Sequence, residues 1–325
     1  MAFLQAFAGL ILLVVAGDAL VRGSVSLARR SGVPVIIIGM TIVAFGTSAP
    51  ELMVGIDAVL TGAPTLAMGN VVGSNIANIL LVVSVPAMIA PVACHGERMG
   101  RTIGFVLAAS LLFPLAGATL GGFPPWLGVL MTAALGAFLV YSARHARRHS
   151  AAAREAIPEL EEASRTPDPV WLSTVLVVAG LGGLIWGADL LVEGSVTIAR
   201  VFGVSEAVIG LTLVAIGTSL PELITGVMAA LRGHGDVAIG NVVGSNLFNL
   251  LGIIGVSSLF GTIPAPDSFM RVDFWVMIAT TLLLLPFYLT KRAIGRGMGI
   301  AMLVAYAGYL AYLASTNSQL VEQAL

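Results

Sequence analysis

The sequence predicts an all-α integral membrane protein of ten transmembrane helices, arranged as two inverted-topology five-helix repeats. Three observations carry this: a shortage of charge, ten long apolar runs, and a polar motif pair that occurs twice in one register. Hydrophobic residues make up 58% of the 325-residue chain and charged residues only 10%, against roughly 25% charged in an ordinary soluble domain. Mean hydropathy is +0.99. Sixteen basic and 17 acidic side chains cannot cover a core of this size, so lipid replaces water as the solvent for most of the chain. A net charge of −1 lacks the basic footprint of a nucleic-acid binder. One cysteine, Cys94, excludes a disulfide framework and a Cys-based metal site within one chain.

A membrane helix needs about 20 mostly apolar residues. Such runs fall near 2–22, 33–60, 65–90, 102–119 and 125–142, then near 170–192, 204–231, 237–260, 272–290 and 297–315. Runs longer than the minimum imply tilt or a break. The first has no basic stretch before it, and is therefore expected to be a span rather than a cleavable leader. The long polar segment at 143–169 is expected to be a solvated linker with a short helix at 155–162. Three units follow: residues 1–142, the linker 143–169, and residues 170–325.

Basic residues set orientation, being concentrated on cytoplasmic loops. With the N-terminus outside, the inner face holds Arg22, Arg29, Arg30, Arg98, Arg101, Arg144, Arg147, Arg148, Arg154, Arg165, Arg232, Lys291, Arg292 and Arg296, leaving only Arg200 and Arg271 outside. The expectation is a multi-pass protein of the cell (plasma or inner) membrane, with both termini outside and the linker cytoplasmic.

The repeat is specific. GMTIVAFGTSAPELMVG at 39–55 recurs as GLTLVAIGTSLPELITG at 210–226, and GNVVGSNIANIL at 69–80 recurs as GNVVGSNLFNLL at 240–251. Glu222 follows Glu51, Ser245 follows Ser74, Asn249 follows Asn78 and Asp189 follows Asp18 at one offset of 171 residues, without a gap from 18 to 80. An odd number of spans per repeat inserts the second copy upside down. That architecture belongs to many secondary transporters, with substrate sites near the bilayer midplane between the repeats.

The repeated motif has the chemistry of a cation site. Pro50 and Pro221 lack an N–H and kink or break their helices, which frees carbonyls in the 44–47 and 215–218 stretches to seek partners at membrane depth. Thr47 and Ser48 share a helix face with Glu51, and Thr218 and Ser219 with Glu222; Ser74 pairs with Asn78 and Ser245 with Asn249 at i,i+4. All of these are oxygen donors, which suit Ca²⁺ or Na⁺ rather than zinc or copper. An ionised carboxylate at mid-membrane costs roughly 2.5–3.5 kcal/mol even on the lenient insertion scale. Glu51 and Glu222 must therefore be balanced by cations or protons before they are re-exposed on the other side. One Ca²⁺, two Na⁺ or two protons serve equally, and a carrier that moves only when loaded is an exchanger.

The paired GTSxPE and GNVVGSNxxN motifs resemble the alpha repeats of sodium/calcium exchangers, within the Ca²⁺:cation antiporter superfamily. The resemblance implies an antiporter exchanging Ca²⁺ for Na⁺ by alternating access, with no resident cofactor and only the transported ions bound. It implies Glu51 and Glu222 as the shared acidic centre. The Ala44 carbonyl, Thr47, Ser48 and Ser74 match the cytoplasmic-side ligands, and the Ala215 carbonyl, Thr218, Ser219 and Ser245 the extracellular-side ones. Asn78 and Asn249 match the central pair. It also implies that the first and sixth helices slide past the rest. Asn249 stands where some relatives, including potassium-dependent exchangers, carry Asp, which argues against potassium co-transport. The acidic motif differs from that of the proton/calcium branch, leaving proton coupling, or another divalent such as Mn²⁺ or Mg²⁺, as the alternative on the same site.

The other polar residues read as peripheral. Asp18 and Asp189 are either gate charges or helix-end groups, with Arg22 as the local partner of Asp18. Asp57 reads as a cap or mouth residue. His95, His145, His149 and His234 fall in loops, and Cys94 reads as an inert thiol.

Overall fold

A computed structural model of the protein describes residues 1–31, 35–94, 97–156, 169–202 and 217–324. In lipid every backbone polar group must be satisfied internally, and the apolar runs accordingly form helices. These are α1 (Ala2–Ser31), a pair α2 (Gly39–Thr47) and α3 (Ala49–Leu60) bent by 49°, α4 (Pro64–Ile89), α5 (Met99–Leu120), α6 (Pro125–Ser142), α7 (Val170–Val201), α8 (Leu220–Leu231), α9 (Gly235–Ser258), α10 (Phe269–Thr290) and α11 (Arg296–Ser315). Among the described residues, eight are long and apolar enough to cross a membrane, nine when the bent pair is taken as one span. Of the expected span at 204–231, residues 204–216 lie outside the described residues, and so does most of the expected linker helix at 155–162; the helix that begins at Pro125 continues to Ala156.

α1 and α7 outrun the expected 2–22 and 170–192 by nine residues each. Their last turns carry Arg29, Arg30 and Arg200, polar residues that a helix accommodates once it leaves the hydrocarbon. The two helices run antiparallel in close contact. At Gly9 a methyl group would stand 2.5 Å from the Leu191 backbone nitrogen, and at Gly180 2.7 Å from that of Leu20. Small residues let the backbones meet, and Ser173 donates to Ser26 at 2.8 Å across the seam.

The bundle is organised around α4 and α9. α9 is wholly buried over its central window and α4 78% buried, against 17–39% for the other long helices. The largest buried cluster joins both to α5, α6, α10 and α11, through side chains such as Val71, Ile76, Phe113, Leu247 and Phe274.

The chain is helical as expected, and short pairings between its loops add to that frame. Among the described residues, four two-residue strands form where loops from distant segments meet: β1 (Val92–Ala93), β2 (Gly122–Phe123), β3 (Ile263–Pro264) and β4 (Ala293–Ile294). β1 pairs antiparallel with β4, and β2 with β3. β3 lies 171 residues after β1 and β4 the same distance after β2, so the register read over 18–80 extends through both pairings. Packing follows it too: Gly55 faces Ile253 and Ser257, while Gly226 faces Val82 and Pro86, the residues 171 positions earlier.

Candidate cation-binding site

The site is built by the α2/α3 break, the start of α8 and the two central helices. Between α2 and α3 the chain turns at Ser48 (φ −89°, ψ 8°), and Pro50 occupies the first turn of α3. Before α8 it turns at Ser219 (φ −86°, ψ 3°), with Pro221 in the same position. Proline is at home there because a first-turn N–H has no helical partner anyway. The break therefore precedes the prolines, rather than following from a kink within a continuous helix. The Ala44 carbonyl consequently stays engaged: it accepts the Ser48 N–H at 3.1 Å and the Thr47 hydroxyl at 3.4 Å. Ala215 lies outside the described residues.

Glu51 and Glu222 each fall in the first turn of their half-helix, where the positive end of the helix dipole favours a carboxylate. Both are 1% exposed. Among the described residues neither forms an ion pair with Lys, Arg or His. Glu222 Oε1 accepts Ser48 Oγ at 2.9 Å and Ser245 Oγ at 3.5 Å, which ties α8 to the α2/α3 break and to α9. Glu51 is held differently, its backbone carbonyl accepting Asn70 Nδ2 at 3.3 Å.

Of the residues expected from the sequence, Thr47, Ser48, Glu51, Ser74, Asn78, Ser219, Glu222, Ser245 and Asn249 are all buried, while Thr218 is half-buried at its break. The contacts directly join Ser48, Glu222 and Ser245; Thr47 bonds Asn241 Oδ1 at 3.4 Å. Asn78 and Asn249 lie at the opening of π-helical turns, Asn78–Val82 and Phe248–Ile253, insertions that recur at functional sites. Several oxygens are buried without a hydrogen-bond partner among the described residues: Glu51 Oε2, Glu222 Oε2, Asn78 Oδ1, Asn249 Oδ1 and Ser219 Oγ. Each such atom is costly unless something satisfies it. A set dominated by acceptors calls for a cation, and this donor set is one that hard ions accept.

Four amides were missed: Asn70 and Asn241, Asn75 and Asn246. The signal was present, since both pairs lie in the repeated GNVVGSN string at the 171-residue offset. Asn78 Nδ2 donates to Asn246 Oδ1 at 3.0 Å, and Asn246 Nδ2 to the Asn75 carbonyl at 3.2 Å, so these amides stitch α4 to α9.

The peripheral residues stay outside the cluster. Asp18 pairs with Arg232 at the far end of α8, a partner distant in sequence that spacing along α1 does not report. His234 precedes α9, and burial pushes its imidazole below the usual range. Cys94 is fully buried and its thiol is pushed up to about 12 by that burial.

A many-helix membrane bundle with two buried carboxylates at the starts of half-helices packed on its central pair, and without a basic partner among the described residues, defines a class, the polytopic cation transporters. The sodium/calcium exchanger protein family matches residues 1–144 and 172–314, and the chain belongs to that family; it is a transporter, not an enzyme. CaxA of Alkalimonas amylolytica is 41% identical over 319 residues, covering 93% of this chain and 95% of its own. The sodium/calcium exchanger MaX1 of Methanosarcina acetivorans is 32% identical over 96% of this chain and 98% of its own. A solved structure of the sodium-calcium exchanger NCX_Mj superposes with a TM-score of 0.82 at 34% identity, covering 96% of this chain and 98% of that one.

Proposed function

We propose that this chain exchanges Ca²⁺ for Na⁺ across the membrane by alternating access, with the cations held between its two halves. The observation that carries this is the pair Glu51 and Glu222, each 1% exposed, without a basic partner among the described residues and beside unpartnered oxygens. The ligand set is Glu51, Glu222, Thr47, Ser48, Thr218, Ser219, Ser74, Ser245, Asn78 and Asn249, with the carbonyls of Ala44 and Ala215. Two carboxylates balance one Ca²⁺ or two Na⁺, so either load removes the penalty of moving the charged site through a low-dielectric state. Moving Ca²⁺ outward against 100 mV costs about 4.6 kcal/mol, at roughly 2.3 per elementary charge. Exchange that brings in more positive charge than it removes uses the same field favourably.

The proposed architecture is ten spans in two inverted five-helix repeats, residues 1–142 and 170–325, joined by a cytoplasmic linker at 143–169, with both termini outside. Contacts between loops and helix ends support it, because each joins segments assigned to one face. β1 with β4, Asp18 with Arg232, and Arg296 with the Met88 carbonyl fall on the inner face. β2 with β3 and Gln5 with Glu193 fall on the outer.

The test is calcium flux in proteoliposomes under an imposed sodium or proton gradient. Sodium-driven calcium movement that is lost in Glu51→Gln and in Glu222→Gln is expected. Flux driven only by protons, or retained in either variant, would overturn the ion assignment or the site.

A further inference from the structure

Asn246 follows Ser245 on α9, is fully buried, and bonds in two directions to α4. Its Nδ2 donates to the Asn75 backbone carbonyl at 3.2 Å. A carbonyl only accepts, so this bond fixes which end of the Asn246 amide is nitrogen. The Asn246 oxygen then faces Asn78, 3.0 Å from its Nδ2. Asn78 must present its amine there and turn its own oxygen away. That oxygen, Asn78 Oδ1, is buried with no partner among the described residues.

We propose that Asn246 is a positioning residue for the transported cation, which locks the Asn78 amide with its oxygen presented as a ligand. The inference rests on the reading of the Glu51–Glu222 cluster as the cation site and deepens it. An amide free to flip would present a hydrogen-bond donor to the cation half the time, repelling it where an oxygen attracts it. Partners that orient metal ligands in this way are worth about 10–100-fold in affinity when removed. The lock is one-sided. Asn75, the counterpart of Asn246 at the 171-residue offset, donates within its own helix to the Val71 carbonyl at 2.7 Å. The oxygen of Asn249, the counterpart of Asn78, has no partner among the described residues.

The test is equilibrium Ca²⁺ binding to the purified full-length chain, with melting temperature measured without Ca²⁺. Asn246→Leu and, as a second variant, Asn246→Ser are each expected to weaken Ca²⁺ binding about 10–100-fold. Asn78→Ala should do the same, and Asn246→Leu added to Asn78→Ala should cost no further affinity, because Asn246 acts only through Asn78. Losses that add in the double variant, or unchanged affinity in Asn246→Leu, would overturn the positioning role. So would failure of both Asn246 variants to fold, which would make the residue a support of the bundle. A wild-type chain that binds no Ca²⁺ would overturn the cation reading and this inference with it, a result distinct from additive losses on a wild type that binds.

Discussion

Ser48 donates its hydroxyl to Glu222 Oε1 at 2.9 Å, whereas the hydroxyl of Ser219, its counterpart 171 residues on, has no partner among the described residues. At this position the two halves share a residue but not its bond. This asymmetry is what the proposed alternating access requires, since a site opening to either side in turn would hold its two halves in different arrangements at any moment.

The asymmetry predicts unequal stabilities. Ser48→Ala removes a buried hydrogen bond to a carboxyl group and should cost about 1–3 kcal/mol. Ser219→Ala removes a buried hydroxyl that has no bond to lose, so its melting temperature should stay level or rise. Thermal melts of both variants in ion-free detergent check this; an equal drop in both would show that the halves are bonded alike.

The ion pair of Asp18 and Arg232 joins α1 to the end of α8, with side chains 37% and 39% exposed. Exposed pairs contribute about 0–1 kcal/mol and are screened by salt. Asp18→Asn should therefore lower the melting temperature slightly at low ionic strength and not at high. Any larger effect on the transport rate than on stability would identify the pair as a latch between elements that move relative to each other.

Much of this site was legible in the sequence because duplication marks it. Glu51 and Glu222 stand out only as a pair, in register beside Pro50 and Pro221. Spacing along one helix also grouped Ser74 with Asn78 and Ser245 with Asn249, and all four side chains are buried. Spacing carries nothing about which amide nitrogen faces which carbonyl across the α4–α9 seam, so Asn75 and Asn246 stayed invisible as partners. The same limit hid the four strands, whose pairings join Val92 to Ile294 and Phe123 to Ile263; no local pattern announces a two-residue ladder between such distant loops. The ends of α1 and α7 were missed for another reason: hydropathy reports where a helix leaves lipid, not where it stops.

The α1–α7 seam predicts opposite outcomes for one substitution at two helical glycines. At Gly9 a methyl group would lie 2.5 Å from the Leu191 nitrogen and 2.8 Å from the Gly187 carbonyl oxygen, backbone atoms that cannot rotate away. At Gly308 nothing stands within 4 Å. Both changes gain the helix preference of Ala over Gly, about 0.5–1 kcal/mol. Gly308→Ala should keep that gain, whereas Gly9→Ala should lose it to overpacking worth about 1–3 kcal/mol. Melting temperatures of the two variants decide it.

The orientation is testable because Cys94 does not interfere. Fully buried, with its thiol pushed up to about 12, it is kept as the unreactive thiol near neutral pH, so a maleimide should leave the folded chain unlabelled. Single cysteines placed at exposed loop positions then report sidedness. Thr61 lies between α3 and α4 and Arg292 between α10 and α11, both exposed, and the proposed topology puts them on opposite faces. In intact cells a membrane-impermeant maleimide should label Thr61→Cys, and should reach Arg292→Cys only after permeabilisation. The reverse pattern would invert the topology, and with it the assignment of the basic residues to the cytoplasm. Labelling of both from one side would break the odd number of spans between them, and the inverted repeat would fall with it.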